Sequence, residues 1–326
     1  MFSYRTLLKQ AWDIAWKHKY LWFFGLFAAL VSGGGSWEYQ IFSQNFNQGL
    51  INGSYSYLSQ ILAFGELFKN FFTGLINLFN YNWYTIINAL SVLLLSAILL
   101  IFFIWLAIIS QIALVNGSKK IANSKKKDYS LNLHETITES HGHFWSVLAL
   151  NFVNKILLFF FFIVASLPLL LMAVDNSTLF SYIYVILFVI FVPFSLSASF
   201  IIKYAICYNI IENESFVSAI EKSWSLFKKN WLISVEMAVG LFIINFLTSG
   251  LILIIISLFL LPLLLLGLIF KLSWLVVLTM LMAIVTIAIF GSLLTTFQTA
   301  SWTNLFIRIK DKGFLAKLER LFHRQK

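Results

Sequence analysis

The chain has a single cysteine, Cys207, among 326 residues, so it can form neither an intramolecular disulfide nor a cysteine metal cluster. Charge is scarce as well. Aspartate and glutamate together number 13, and charged residues make up 11% of the chain, where a soluble domain carries about one quarter. There is no G-x-S-x-G, no P-loop and no G-x-G-x-x-G, which removes the nucleophile elbow, the phosphate cradle and the dinucleotide turn from consideration. The GGG at 33–35 follows no strand and reads as a helix stop. Among the carboxylates only Glu236 falls well inside an apolar run, whereas a membrane enzyme needs several convergent polar groups. No catalytic residue and no cofactor are expected.

What fills the chain instead is apolar: 60% of residues are hydrophobic and the mean hydropathy is +0.87. Crossing a hydrocarbon core about 30 Å thick takes about 20 helical residues. The apolar runs are 20–31, 86–115, 144–174, 178–210, 231–270 and 272–306. An all-α membrane bundle of six transmembrane helices is expected, its first span short. Arg5, Lys9, Lys17 and Lys19 precede that span, and no cleavage pattern accompanies them, so it is read as an uncleaved helix.

Basic residues are retained on the cytoplasmic side of a membrane. The segments 1–19, 116–143, 208–230 and 307–326 hold 19 of the 23 lysines and arginines. Both termini are therefore expected in the cytoplasm, with the protein in the cytoplasmic (inner) membrane. The formal charge of +10 is spread over four juxtamembrane segments, where anionic lipid headgroups are nearer than any nucleic acid. Lipids are the expected partners, with a membrane protein as a further one and no nucleic acid.

The segment AWDIAWKHKYLW, 11–22, is echoed by SWSLFKKNWLI from 223: Trp12 falls on Trp224, Lys17 on Lys229 and His18 on Asn230. A fainter copy in ETITESHGHFWSVLALNFV sets His143 and Phe144 on Asn230 and Trp231. The returning runs repeat too, as SQIALVNG, IKYAICYN and FQTASWTN, with Gln111, Lys203 and Gln298 at matched positions. Three hairpins follow within one membrane domain: 1–118, with an extracytoplasmic insert at 36–84, then 131–211 and 216–309, before a basic amphipathic tail at 310–326. On a helix Leu8, Trp12 and Ala15 or Trp16 make an apolar stripe opposite Lys9, Asp13 and Lys17. Such a helix lies at the headgroup boundary, so Trp12, Trp16, Trp22, Trp224 and Trp231 are read as interfacial anchors on elbows that feed the spans. Within the insert, the spacing of apolar residues from Leu58 to Phe79 predicts a second amphipathic helix. Pro168 and Pro262 fall late in their runs, where a missing N–H bends or ends a helix.

HETITESHGH, 134–143, holds three histidines and two glutamates, but position 138 is threonine where a zinc motif needs its second histidine. His134 and His141 would stand about 10.5 Å apart along a helix, too far to share one ion, so no metal is expected. Ionisable groups inside spans are the better candidates, since each is costly there. Glu236 and Lys203 fall at similar depth and are expected to pair, with Gln111 and Gln298 completing a polar ring. Lys155, flanked by Asn151 and Asn154 near mid-bilayer, forms a donor cluster suited to an anion.

The patterns W-x-x-x-W-K-x-K-x-L-W at 12–22 and A-I-x-x-S-W-x-L-x-K-x-N-W at 219–231 resemble those of bacterial six-span membrane families of unassigned function, among them the membrane domain attached to some glycerophosphodiester phosphodiesterases. The resemblance implies membrane placement and a link to lipid or envelope metabolism. It does not imply the phosphodiesterase activity, because the catalytic barrel is not in this chain. Two functions stand open: a non-catalytic lipid- or partner-binding module, and a transporter of a small anionic or lipid-like solute through a polar pocket near Lys155, Lys203 and Glu236.

Overall fold

In lipid every backbone N–H and C=O of a spanning segment must be satisfied within the protein, so long apolar runs become helices. The computed structural model describes residues 4–32, 69, 73, 83–123, 138–174 and 178–312, and among these there are helices and no strand. They are α1 (Tyr4–Lys17), α2 (Tyr20–Ser32), α3 (Trp83–Asn123), α4 (Phe144–Val174), α5 (Thr178–Glu212), α6 (Phe216–Ile255), a π-turn (Ile256–Leu260), α7 (Leu261–Ile269) and α8 (Ser273–Lys312). Five helical stretches are long and apolar enough to cross a membrane. α2 is shorter, at 13 residues, or about 20 Å. Large apolar side chains stay exposed along these helices, Ile101, Phe152, Ile190 and Phe246 among them. An apolar surface of that extent is stable only against lipid, which makes the chain a multi-pass membrane protein. The amphipathic helix expected at 58–79 lies largely outside the described residues; Lys69 and Thr73 are helical, with the Thr73 hydroxyl donating to Lys69 O at 2.6 Å. The tail from 313 lies outside them altogether.

Two compact units are present, and neither is continuous in sequence. The first joins 1–32, 107–151 and 200–326; the second joins 33–106 and 152–199. In the second, the later part of α4 and the earlier part of α5 meet through Phe161 and Phe194, whose rings lie 4.0 Å apart. Pro168 sits inside α4 and Pro193 inside α5. Pro168 therefore does not end its helix. Pro262 has another accommodation. The turn before it widens, Leu261 N–H reaching back to Ile256 O, which re-satisfies backbone that a proline disrupts. Lys271, at φ 54°, then closes a tight turn, and Gly267 approaches Val276 so closely that an added Cβ would stand 3.2 Å from its backbone nitrogen.

In the first unit α8 is the central helix, and α1, α2, α6 and α7 all pack against it. α2 runs antiparallel to it at very short range. The Ser292 hydroxyl donates to Trp22 O, and the Thr296 hydroxyl donates to Leu21 O at 3.2 Å. Near its end α8 also takes the last turns of α5, through Tyr204 and Phe200 against Trp302 and Tyr208 against Phe306. Tyr204 continues to α6, its hydroxyl 2.7 Å from that of Ser234.

Candidate functional site

The elbows are built by local breaks at the three residues the alignment superposes. The chain leaves the helix at His18, whose carbonyl accepts from Leu21 N–H at 2.9 Å and so starts α2. His143 follows a helical segment at 138–141, and its carbonyl accepts from Val147 N–H at 3.0 Å. Asn230 interrupts α6 with φ −128° and ψ 30°, and its side-chain amide donates to Leu226 O at 3.1 Å. A helix that stops leaves carbonyls without donors. At the first elbow the Trp22 indole supplies one, donating to Ala15 O at 2.7 Å. Trp22 thus caps the end of α1.

The face of α1 that packs on α8 carries Leu7, Ala11, Ile14 and Ala15, and the stripe of Leu8, Trp12 and Ala15 or Trp16 expected at the headgroup boundary meets it only at Ala15. Trp12 and Trp16 are 45% and 51% exposed and stack on each other at 5.6 Å. The reason is size: a helix crossing this close takes alanine at the contact, and the indoles are displaced to its flank, where Trp12 touches the edge of Phe297. Trp224 and Trp231 are also exposed. Trp145, 76% exposed and two residues past His143, escaped the sequence reading, although the signal was present in the F-W pair that follows the second elbow.

Around the elbows lies a polar face on which segments distant in sequence meet. Lys120 pairs with Glu139 at 2.8 Å, and Asn116 donates to the same carboxylate at 2.7 Å. Lys119 donates to Ile211 O at 2.9 Å, Arg308 to Gln10 at 2.6 Å, and Lys310 to Glu212. Asn209 donates to Glu214 O at 2.7 Å, while the Glu214 carboxylate takes Ser218 and Lys222. The Lys120 hydrogen bond and charge, with Asn116, outweigh partial burial and hold the Glu139 carboxyl below its ordinary 4.5. Lys222, then Ser218, do the same for Glu214.

A depressed carboxyl adds stability above its unfolded value and loses it as pH falls through the folded one. Acidification from neutral to below 4.5 is therefore expected to loosen 138–141 from α3, read as a lower amide protection factor in that segment, the intrinsic exchange rate at each pH being divided out. Glu139→Gln should be loose already at neutral pH and show no such pH step; a wild-type segment equally protected at both pH values refutes the linkage.

Of the polar residues singled out within the spans, the structure joins Gln111 and Asn151, the amide of Asn151 donating to Gln111 Oε1 at 2.8 Å and to Val147 O at 2.9 Å. The expected Lys203–Glu236 pair is not formed. The Lys203 ammonium stands 4.7 Å from the centroid of the Trp302 ring, because Phe200 and Tyr204 on either side of it already pack on that indole. Gln298 is half-buried one turn before Trp302, and Glu236 is half-buried on α6. Lys155 and Asn154 belong to the second unit; Lys155 is half-buried, and the Oδ1 of Asn154 is buried without a hydrogen-bond partner. His141 and His143 are described, whereas His134 and Glu135 lie outside the described residues. No family model, no curated protein and no solved structure matches this chain.

Proposed function

We propose that the chain is a non-catalytic integral protein of the cytoplasmic membrane, six spans in three repeated hairpins with both termini cytoplasmic, which serves as a lipid- or partner-binding module. The observation that carries this reading is the shared polar face. Gln10, Lys119, Lys120, Glu212 and Lys310 come from all four basic segments of the sequence, yet they interlock on one side of the first unit. Matched positions of the hairpins also have matched environments. Leu7 and Ala219, Ala11 and Ser223, and Leu21 and Ile233 are buried, while Trp12 and Trp224, and Lys17 and Lys229, are exposed. Ala113, Ala205 and Ala300 on the returning helices are each fully buried. α2, although short, is held on α8 as the first span of the first hairpin.

Single cysteines placed at Ser124 and Asn52 in a Cys207→Ser background test the arrangement with an impermeant maleimide applied to intact cells. Position 52 is expected to label and position 124 to label only after permeabilisation. Labelling of position 124 from outside overturns the topology.

A further inference from the structure

We infer that the first and third elbows each hold the headgroup of an anionic phospholipid, and that the second does not; this rests on the lipid-binding reading above. On α1, Arg5, Lys9, Trp12 and Trp16 recur at helical spacing and form one exposed stripe beside the buried face. The aligned positions of α6 are Val217, Glu221, Trp224 and Lys228, exposed in the same way and on the same flank of its buried face. Two further exposed cations, Lys17 and Lys229, stand in the last turn before each break, and Lys19 follows the first.

Two carboxylates lie on these elbows, Asp13 between Lys9 and Lys17 and Glu221 one turn before Trp224, and neither forms an ion pair among the described residues. Glu139 is taken by Lys120, Glu214 by Lys222 and Glu212 by Lys310. Lys17, Lys19, Lys228 and Lys229 form no ion pair among the described residues. Each cluster adjoins the place where an apolar, outward-facing helix surface begins: Phe23 and Leu26 on α2, Val239 and Phe242 on α6. A surface that offers anions at the edge of a hydrocarbon slab is a leaflet containing acidic phospholipid, whose phosphate suits lysine while the indoles sit at the glycerol level. Among the described residues the second elbow has Trp145 but not the charge. Its neighbours Lys119 and Lys120 are committed to Ile211 O and Glu139, and histidines stand at 141 and 143.

The full chain reconstituted in vesicles of phosphatidylcholine and phosphatidylglycerol, then extracted in neutral detergent, tests this by native mass spectrometry. Wild type is expected to retain one phosphatidylglycerol per charged elbow, in preference to phosphatidylcholine. Lys17→Gln with Lys19→Gln removes one of them, Lys228→Gln with Lys229→Gln the other, and Lys271→Gln neither. Each pair is expected to weaken retention about 30-fold, from about 1 kcal/mol per lysine near an anionic surface. All these positions are exposed, so helicity and melting should be unchanged. Undiminished retention in both paired variants overturns the assignment and leaves the lipid-binding reading standing; a wild-type chain that keeps no lipid of either class overturns both.

Discussion

Gly25→Val is expected to be the most damaging single substitution in the first unit, costing about 3 kcal/mol or preventing assembly of α2 on α8. A Cβ at this position would collide with the backbone carbonyl oxygen of Ser292 and the hydroxyl of Thr296, and would stand 3.1 Å from the carbonyl carbon of Ser292. Helix backbone cannot retreat as a flexible side chain does. Any shift that relieves the clash also breaks the hydroxyl bonds from Ser292 and Thr296 to the carbonyls of Trp22 and Leu21. Small residues at such crossings do for membrane helices what apolar burial does in water, since lipid offers no hydrophobic drive for helix association. Gly240 is the control. A Cβ there meets nothing within 4 Å, so Gly240→Ala should leave stability unchanged or raise it by up to about 1 kcal/mol through helix propensity. Thermal unfolding in detergent separates the two, and a Gly25→Val protein that melts with wild type disproves the close crossing.

Removing either partner of the Gln111–Asn151 bond is expected to cost about 1 to 2 kcal/mol, because the remaining amide is left in a half-buried site without its partner. The double change to leucine should cost less than the sum of the singles, with a coupling of about 0.6 to 1.7 kcal/mol, the range found for hydrogen bonds between membrane helices. The geometry behind this is the 2.8 Å contact that ties α3 to the first turns of α4. Asn151 also donates to Val147 O, so Asn151→Leu is expected to be the worse of the two single changes. A strictly additive cycle shows that the two side chains do not stabilise one another.

The sequence alone determined the features that local chemistry settles. Long apolar runs in a chain with few charges leave helices in lipid as their only stable state, and the described residues contain five helices of that kind. The breaks at His18, His143 and Asn230 fall at positions that the sequence alignment sets on one another, although a match of residues does not itself carry a backbone angle. What the tertiary structure decided is which side of each helix faces what. Periodicity set Leu8, Trp12 and Ala15 or Trp16 on one apolar stripe at the headgroup boundary, and packing against α8 selected the neighbouring face of Leu7, Ala11, Ile14 and Ala15, since close approach rewards small side chains and the pattern of apolar residues does not encode distance. Depth along a span suggested Glu236 for Lys203. Depth fixes only the axial coordinate, and the rotation of α5 about its own axis, set by Phe200 and Tyr204 on Trp302, turned that lysine onto an indole instead. Gln111 met Asn151, and not the other members of the expected ring, for the same reason. Spacing along a chain fixes height in the bilayer, whereas the partner of a polar group is fixed by rotation, which only packing sets.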